Sequence, residues 1–226
     1  MGNTLTVTLT NTSSADVLVP TDVLTGVFFN TSHTLTPVSA NLHGSTVYYA
    51  SLANVGDGWG YGSGVSAQGM NSAISATGAV NGLGMSNFSS QHNALDGLPY
   101  GILSAGDNPS TGNTGVKGKG PLIKNSVQFV LTVAPGFSLS ELGNSVVFQY
   151  GTALTDTHFS SSGNPWLSPF RHPPRPSCSG LVAACCVWSA GFAGVQLLRL
   201  LDVRSPSLLQ ADNARSSRAK VALARI

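Results

Sequence analysis

Apolar and polar positions alternate along much of this chain, most clearly from Ser126 to Val133. There Val127, Phe129, Leu131 and Val133 alternate with Ser126, Gln128, Val130 and Thr132. In an extended chain that period of two lines one apolar row against a core, so the run predicts a strand. Ala134-Pro135-Gly136 ends it, because proline has no N–H to give and glycine admits positive φ. Ser138 to Gly143 then predicts one capped helical turn, with Glu141 three residues after the Ser138 cap and glycine at the end. Val146, Phe148 and Tyr150 resume the alternation as a second strand. The stretch from Pro121 to Thr152 is thus a strand pair around a compact connection.

Earlier segments repeat the pattern at spacings of about ten residues. Leu5, Val7 and Leu9 alternate with threonines and stop at Asn11-Thr-Ser-Ser14. Val17-Leu-Val19, ended by Pro20, predicts a short strand, followed by Leu24 to Asn30, Thr34 to Ala40 and Ser45 to Tyr49. Such short strands, with no helical period of ten or more residues between them, predict an all-β fold: an antiparallel β-sandwich of jelly-roll or Ig-like type. Residues 65 to 95 are small and polar and predict a long loop with at most one weak strand. Tyr100, Ile102 and Leu103 predict a short strand, Gly106 to Pro109 a tight turn, and Thr111 to Gly120, with four glycines, a mobile loop.

Charge divides the chain in two. Residues 1 to 158 carry a net charge of −4 and residues 159 to 226 a net charge of +6, so the overall +2 joins two unlike segments. All seven arginines and all three cysteines lie beyond residue 170. The expected organisation is a β-sandwich over 1–156, a linker over 157–179, an apolar helix over 180–201 and a basic tail over 202–226. A body rich in Gly, Ser, Thr and Asn, with no cysteine before Cys178, suits an extracellular β protein, and the overall charge carries no indication of nucleic-acid binding. Three Asn-x-Ser/Thr sequons, at Asn11, Asn30 and Asn87, fit surface positions.

Gly56 to Gly64, GDGWGYGSG, places glycine at every second position. In an extended chain one face is then bare, while Asp57, Trp59, Tyr61 and Ser63 share the other. Two readings follow. Trp59 and Tyr61, with Tyr48 or Tyr49, form an aromatic platform for a sugar ring, or the bare face is pressed against another backbone and the rings enter the core.

Catalytic chemistry finds little support. There is no Gly-x-Ser-x-Gly elbow, phosphate loop, His-Glu-x-x-His or acidic calcium loop. The histidines, His33, His43, His92, His158 and His172, are scattered. Asp57 could meet Asp96 or Asp107 in space, but seven acids in a β domain produce such pairs often. Cys178, Cys185 and Cys186 lack zinc-ligand spacing. The expectation is a non-enzymatic protein without cofactor or metal.

The phrases LTVTLTNTSSADVLVPTDVLTGVFF, LTPVSA, GWGYGSG, LPYGILSAGDNPSTGN, PLIKNSVQFVLTV and SVVFQYGTAL, in this order over residues 4 to 156, resemble the body of a bacterial family of exosortase-dependent surface proteins with a C-terminal PEP-CTERM sorting segment. That resemblance implies an exported cell-surface or matrix protein, with exosortase-like sorting and export machinery as partner, and brings no catalytic residues. The tail departs from the family pattern. Where the family has Pro-Glu-Pro this chain has Pro174, Arg175, Pro176 and Ser177, followed by the uncharged run Gly180 to Leu198 and then Arg199 and Arg204. Nineteen residues as helix reach roughly 28 Å, close to a hydrocarbon core of about 30 Å, so the run could anchor the chain in a membrane. A frameshift near Thr157 accounts equally for the sudden Arg, Cys, Pro and Ala.

No secretory leader precedes the first strand, so a truncated start, or a start codon assigned too late, is expected. The leading function is then a surface or matrix protein at the cell surface or outside the cell, the alternative a carbohydrate-binding sandwich contacting extracellular polysaccharide through exposed aromatics.

Overall fold

The structure is a computed structural model that describes residues 3–51, 53–77, 84–89, 95, 98–118, 120–162 and, as strand path only, 196–204. The protein is all-β. Thirteen strands run in chain order among the described residues: β1 (Asn3–Asn11), β2 (Leu24–Thr31), β3 (Thr36–Leu42), β4 (Thr46–Tyr48), β5 (Gly60–Ala67), β6 (Met70–Ser75), β7 (Ser86–Asn87), β8 (Ile102–Leu103), β9 (Leu122–Lys124), β10 (Ser126–Val133), β11 (Leu142–Tyr150), β12 (His158–Ser162) and β13 (Gln196–Arg204). They form a four-stranded sheet, β13-β1-β10-β3, and a nine-stranded sheet in which β2 lies between β11 on one side and β6 on the other.

The alternation in β10 works as its spacing dictates. Val127, Phe129, Leu131 and Val133 are buried, and the register sets Phe129 opposite Val7 and Leu131 opposite Leu5 on β1. These rows face Val27 and Phe29 of β2, Ile74 of β6, and Val146, Phe148 and Tyr150 of β11, which together form the main core between the two sheets. Face-to-face packing of two mostly antiparallel sheets over one apolar layer is a β-sandwich. Each large core side chain contributes roughly 1.5–3 kcal/mol through burial, so the aromatic rows dominate the packing energy.

β2 and β11 are buried on both faces. Beyond the main core, Phe28 and Val147 turn to the outer side of the larger sheet, where they pack with Val65, Ala67 and Ala73. This explains why Val27-Phe28-Phe29 and Val146-Val147-Phe148 are continuous apolar runs: a strand covered on two sides has no polar row.

Four local expectations change. Val17 to Val19 forms no strand; it leads into a 3₁₀ turn, Pro20–Asp22, because Pro20 starts that turn and Val17 alone is buried. Residues 60 to 75 are a hairpin, β5 and β6, where a loop was expected to begin at 65. Gln68 and Gly69 both have positive φ, 55° and 72°, between the paired Ala67 and Met70, the two-residue turn that matches strand twist. The 111–120 segment folds back on Val17 to Pro20: the Asn113 N–H donates to the Leu18 carbonyl at 2.8 Å, and Val116 is buried. The capped turn after Ser138 is 3₁₀, Leu139–Glu141, with its capping box formed, and Gly143 belongs to β11 rather than ending the turn.

The tail also departs from expectation where it is described. Residues 196–201, expected at the end of an apolar helix, and 202–204, expected in the basic tail, run as β13 and pair antiparallel with β1, from Thr4 opposite Arg204 to Asn11 opposite Gln196. The free edge of β1 presents a row of unpaired backbone groups, and an extended segment satisfies them where a helix could not. Among the described residues no helix is long and apolar enough to cross a membrane. The remainder of the expected helix, Pro174 to Ser177 and the three cysteines lie outside the described residues.

Candidate functional site

The Gly-Trp-Gly-Tyr-Gly stretch is the strongest candidate from sequence, and the structure places it inside. Trp59 is 0 % and Tyr61 3 % exposed. The Trp59 ring meets Phe129 edge-on, with centroids 5.0 Å apart, and its indole N–H donates to the Tyr100 carbonyl at 3.0 Å. Burial pushes the Tyr61 phenol above its ordinary pKa. Sugar stacking needs open ring faces, and neither ring has one.

The bare glycine face is occupied as well. A Cβ on Gly58 would run into the Tyr100 ring, one on Gly56 would come within 2.7 Å of the Phe88 carbonyl oxygen, and one on Gly60 within 2.8 Å of Leu95. Gly56 and Gly58 lie in a 3₁₀ turn rather than on the extended face expected, and with Gly60 they let neighbouring elements close over that turn and the start of β5, while Gly64 faces open space. Of the tyrosines named as further stacking surfaces, Tyr49 is 51 % exposed and Tyr48 half-buried. Tyr49 holds a positive φ of 65°, and its hydroxyl donates to the Pro109 carbonyl at 2.8 Å. The two rings are tilted by 59°, so they present no common plane.

Among the described residues Asp57 and Asp107 sit beside different partners. Asp107 is buried beside Val17: its Oδ1 accepts the Val17 N–H at 2.9 Å, and burial raises its pKa, with Asp16 and Lys124 as its charged neighbours. Asp57 lies in the 3₁₀ turn before Trp59 and acts on Tyr100. Asp96 is outside the described residues. Among the described residues no three His, Cys, Asp or Glu side chains are grouped to hold a metal ion.

The sequons are not on open loops. Asn11 is 0 % exposed, Asn30 donates its amide to the Met70 sulfur, and Asn87 donates its amide to the Asp57 carbonyl.

Sequence patterning missed a cleft of mixed polar and apolar lining at the opposite end of β2 from Leu24. It has a volume of about 380 Å³ and is lined by Asn30, Ser32, Asn71, Ser140, Glu141 and Asn144, among others. Asn30 and Asn71 form its braced wall: Asn30 Oδ1 accepts the Asn71 N–H at 2.9 Å, and the Asn71 side chain accepts from the Thr31 N–H at 3.0 Å and donates to the Thr31 carbonyl at 2.9 Å. Opposite, Glu141 Oε2 accepts the Ser138 N–H at 2.6 Å, and Oε1 lies 3.0 Å from His33 Nε2. The Ser138 N–H and then His33 hold the Glu141 carboxyl below its ordinary pKa, which keeps it ionised. The only sequence signal was the capping box, which reports a turn and not a cleft.

Comparison with protein-family models, with curated proteins and with solved structures finds no match.

Proposed function

We propose that this chain is a non-enzymatic, exported surface or matrix protein, with a β-sandwich as its stable outer body. One observation carries the reading. The phrases that resemble the PEP-CTERM family are the ones that build the scaffold: GWGYGSG supplies the rings under β10, PLIKNSVQFVLTV supplies β9 and β10, and SVVFQYGTAL supplies β11. In this reading the shared part is a body, a core of aromatic and β-branched residues under a coat of Ser, Thr and Asn. A coat with few charges suits a protein that lies against other macromolecules outside the cell. Export and sorting through an exosortase-like system, and an anchor in 180–198, belong to this reading as its cellular part.

The test is location. Intact source cells treated with a protease that does not enter them should lose the protein, and fractionation should return it with the envelope or the medium. Protein that survives the treatment and fractionates with the cytosol overturns the reading. The alternative role in polysaccharide contact draws nothing from Trp59 and Tyr61, which are enclosed.

A further inference from the structure

We propose that the cleft between the end of β2, the start of β6 and the start of β11 binds a neutral carbohydrate. The lining decides the chemistry. Carboxamides, hydroxyls and one carboxylate face a space of about 380 Å³, within the roughly 300–1,000 Å³ range of small-ligand sites. Among the described residues no lysine or arginine lines it, so a phosphate, sulfate or nucleic-acid backbone meets no countercharge from them. Its exposed lining is mixed, apolar carbon and polar atoms in comparable measure, and Leu142 is itself buried, so a purely apolar ligand would leave the polar atoms unmatched, whereas a sugar offers both C–H faces and hydroxyls. A sugar matches what remains, since vicinal hydroxyls both donate and accept, and a carboxamide or carboxylate engages two of them at once.

The cleft is shallow and open to solvent, but its walls are braced. The Asn30–Asn71 clamp ties β2 to β6, and Glu141 is fixed from two sides by Ser138 and His33. Each Glu141 oxygen has one protein partner and so retains acceptor capacity. Ser32 and Asn144 stand exposed at the rim, free to turn toward a ligand. With walls already in place, little ordering is required on binding. Among the described residues no aromatic ring lines the cleft, so affinity should be modest, on the order of millimolar. The inference does not depend on export, since the same cleft exists in any compartment.

The experiment is a titration of the ¹⁵N-labelled full chain with glucose, galactose, mannose and lactose, with glucuronate as the charged probe. Saturable amide shifts confined to the neighbourhood of Ser32, Asn71 and Asn144 are expected with at least one neutral sugar. Asn144→Ala and Ser32→Ala, both at exposed positions, should together weaken that binding roughly tenfold, the loss of one to two hydrogen bonds, with the melting temperature unchanged. Glucuronate should bind the native chain less well than glucose, and Glu141→Gln should remove that difference. Absence of a saturable shift with every neutral sugar overturns the proposal. So does binding that the double rim variant leaves untouched, or shifts that map to another part of the molecule.

Discussion

The indole N–H of Trp59 donates to the carbonyl oxygen of Tyr100 at 3.0 Å, across a contact in which the Tyr100 ring lies over Gly58. Tyr100 itself has φ of 68°, so a non-glycine residue is held in the left-handed region by its neighbours on both sides. Trp59→Phe should remove the donor, leave that carbonyl short of a partner and open space beside Phe129. The combined cost is about 2–4 kcal/mol, read as a lower midpoint in urea unfolding with an unchanged slope.

Gly58→Ala tests the same contact from the other side. Its methyl would strike the Tyr100 ring, and overpacking of that kind costs about 1–3 kcal/mol. Gly69→Ala in the β5–β6 turn has open space but a φ of 72°, and should cost about 1 kcal/mol through backbone strain alone. The two differ in a second readout: tryptophan emission should change in the Gly58 variant and stay constant in the Gly69 variant.

Two carboxylates give opposite pH dependence. Burial raises the Asp107 pKa above 3.8, so the folded state holds that proton more tightly than the unfolded one. Its contribution is therefore fully present below the unfolded pKa and is lost as pH rises through the raised folded value. Asp107→Asn keeps an acceptor for the Val17 N–H and should match or exceed the native stability at neutral pH, with no gain in acid. Glu141 is held below 4.5, so its stabilising effect exists above the unfolded pKa and disappears as pH falls through the lowered folded value. Glu141→Gln should lower the melting temperature at neutral pH and leave it unchanged in strong acid. Thermal melts of both variants across the acid range check the two signs.

The pairing of β13 with β1 predicts the behaviour of a shortened chain. Ending the protein at Ser162 removes Gln196–Arg204 and uncovers the edge of β1, while the β1–β10 ladder stays intact. Amide exchange should accelerate on β1 and not on β10, and copies should associate through the open edge as concentration rises. Unchanged β1 exchange would show that the edge is not covered by this segment.

Period-two patterning was enough to locate β1, β10 and β11, because each places an apolar row on one core, whereas β3, with Val38 exposed and Ala40 alone buried, and β4 were located by their spacing and turn signals. Patterning gave the start of β5 as far as Gly64 and at most a weak strand beyond, because residues 65 to 75 carry too little hydrophobic contrast to show a period, although the Gln68-Gly69 turn joins β5 and β6 tightly. It read Thr111 to Gly120 as mobile because glycine content reports backbone freedom, whereas packing against Val17 to Pro20 decides whether that freedom is used. The rings of Trp59 and Tyr61 were ambiguous for a simple reason: alternation says that two side chains share a face, not which face meets the core. The cleft was invisible in sequence, since Asn30, Asn71 and Glu141 are separated along the chain and meet only because β2 pairs with both β6 and β11.

The aromatic stretch serves the scaffold, and the proposed ligand contact falls to the cleft at the other end of β2. A chain carrying Trp166→Phe and Trp188→Phe leaves Trp59 as the single indole, and its fluorescence with and without polysaccharide is the direct measurement. Blue-shifted emission that resists acrylamide quenching and does not respond to polysaccharide is the predicted result. Solvent-like emission, readily quenched and then protected when polysaccharide is added, would contradict it and return Trp59 to the surface as a binding face.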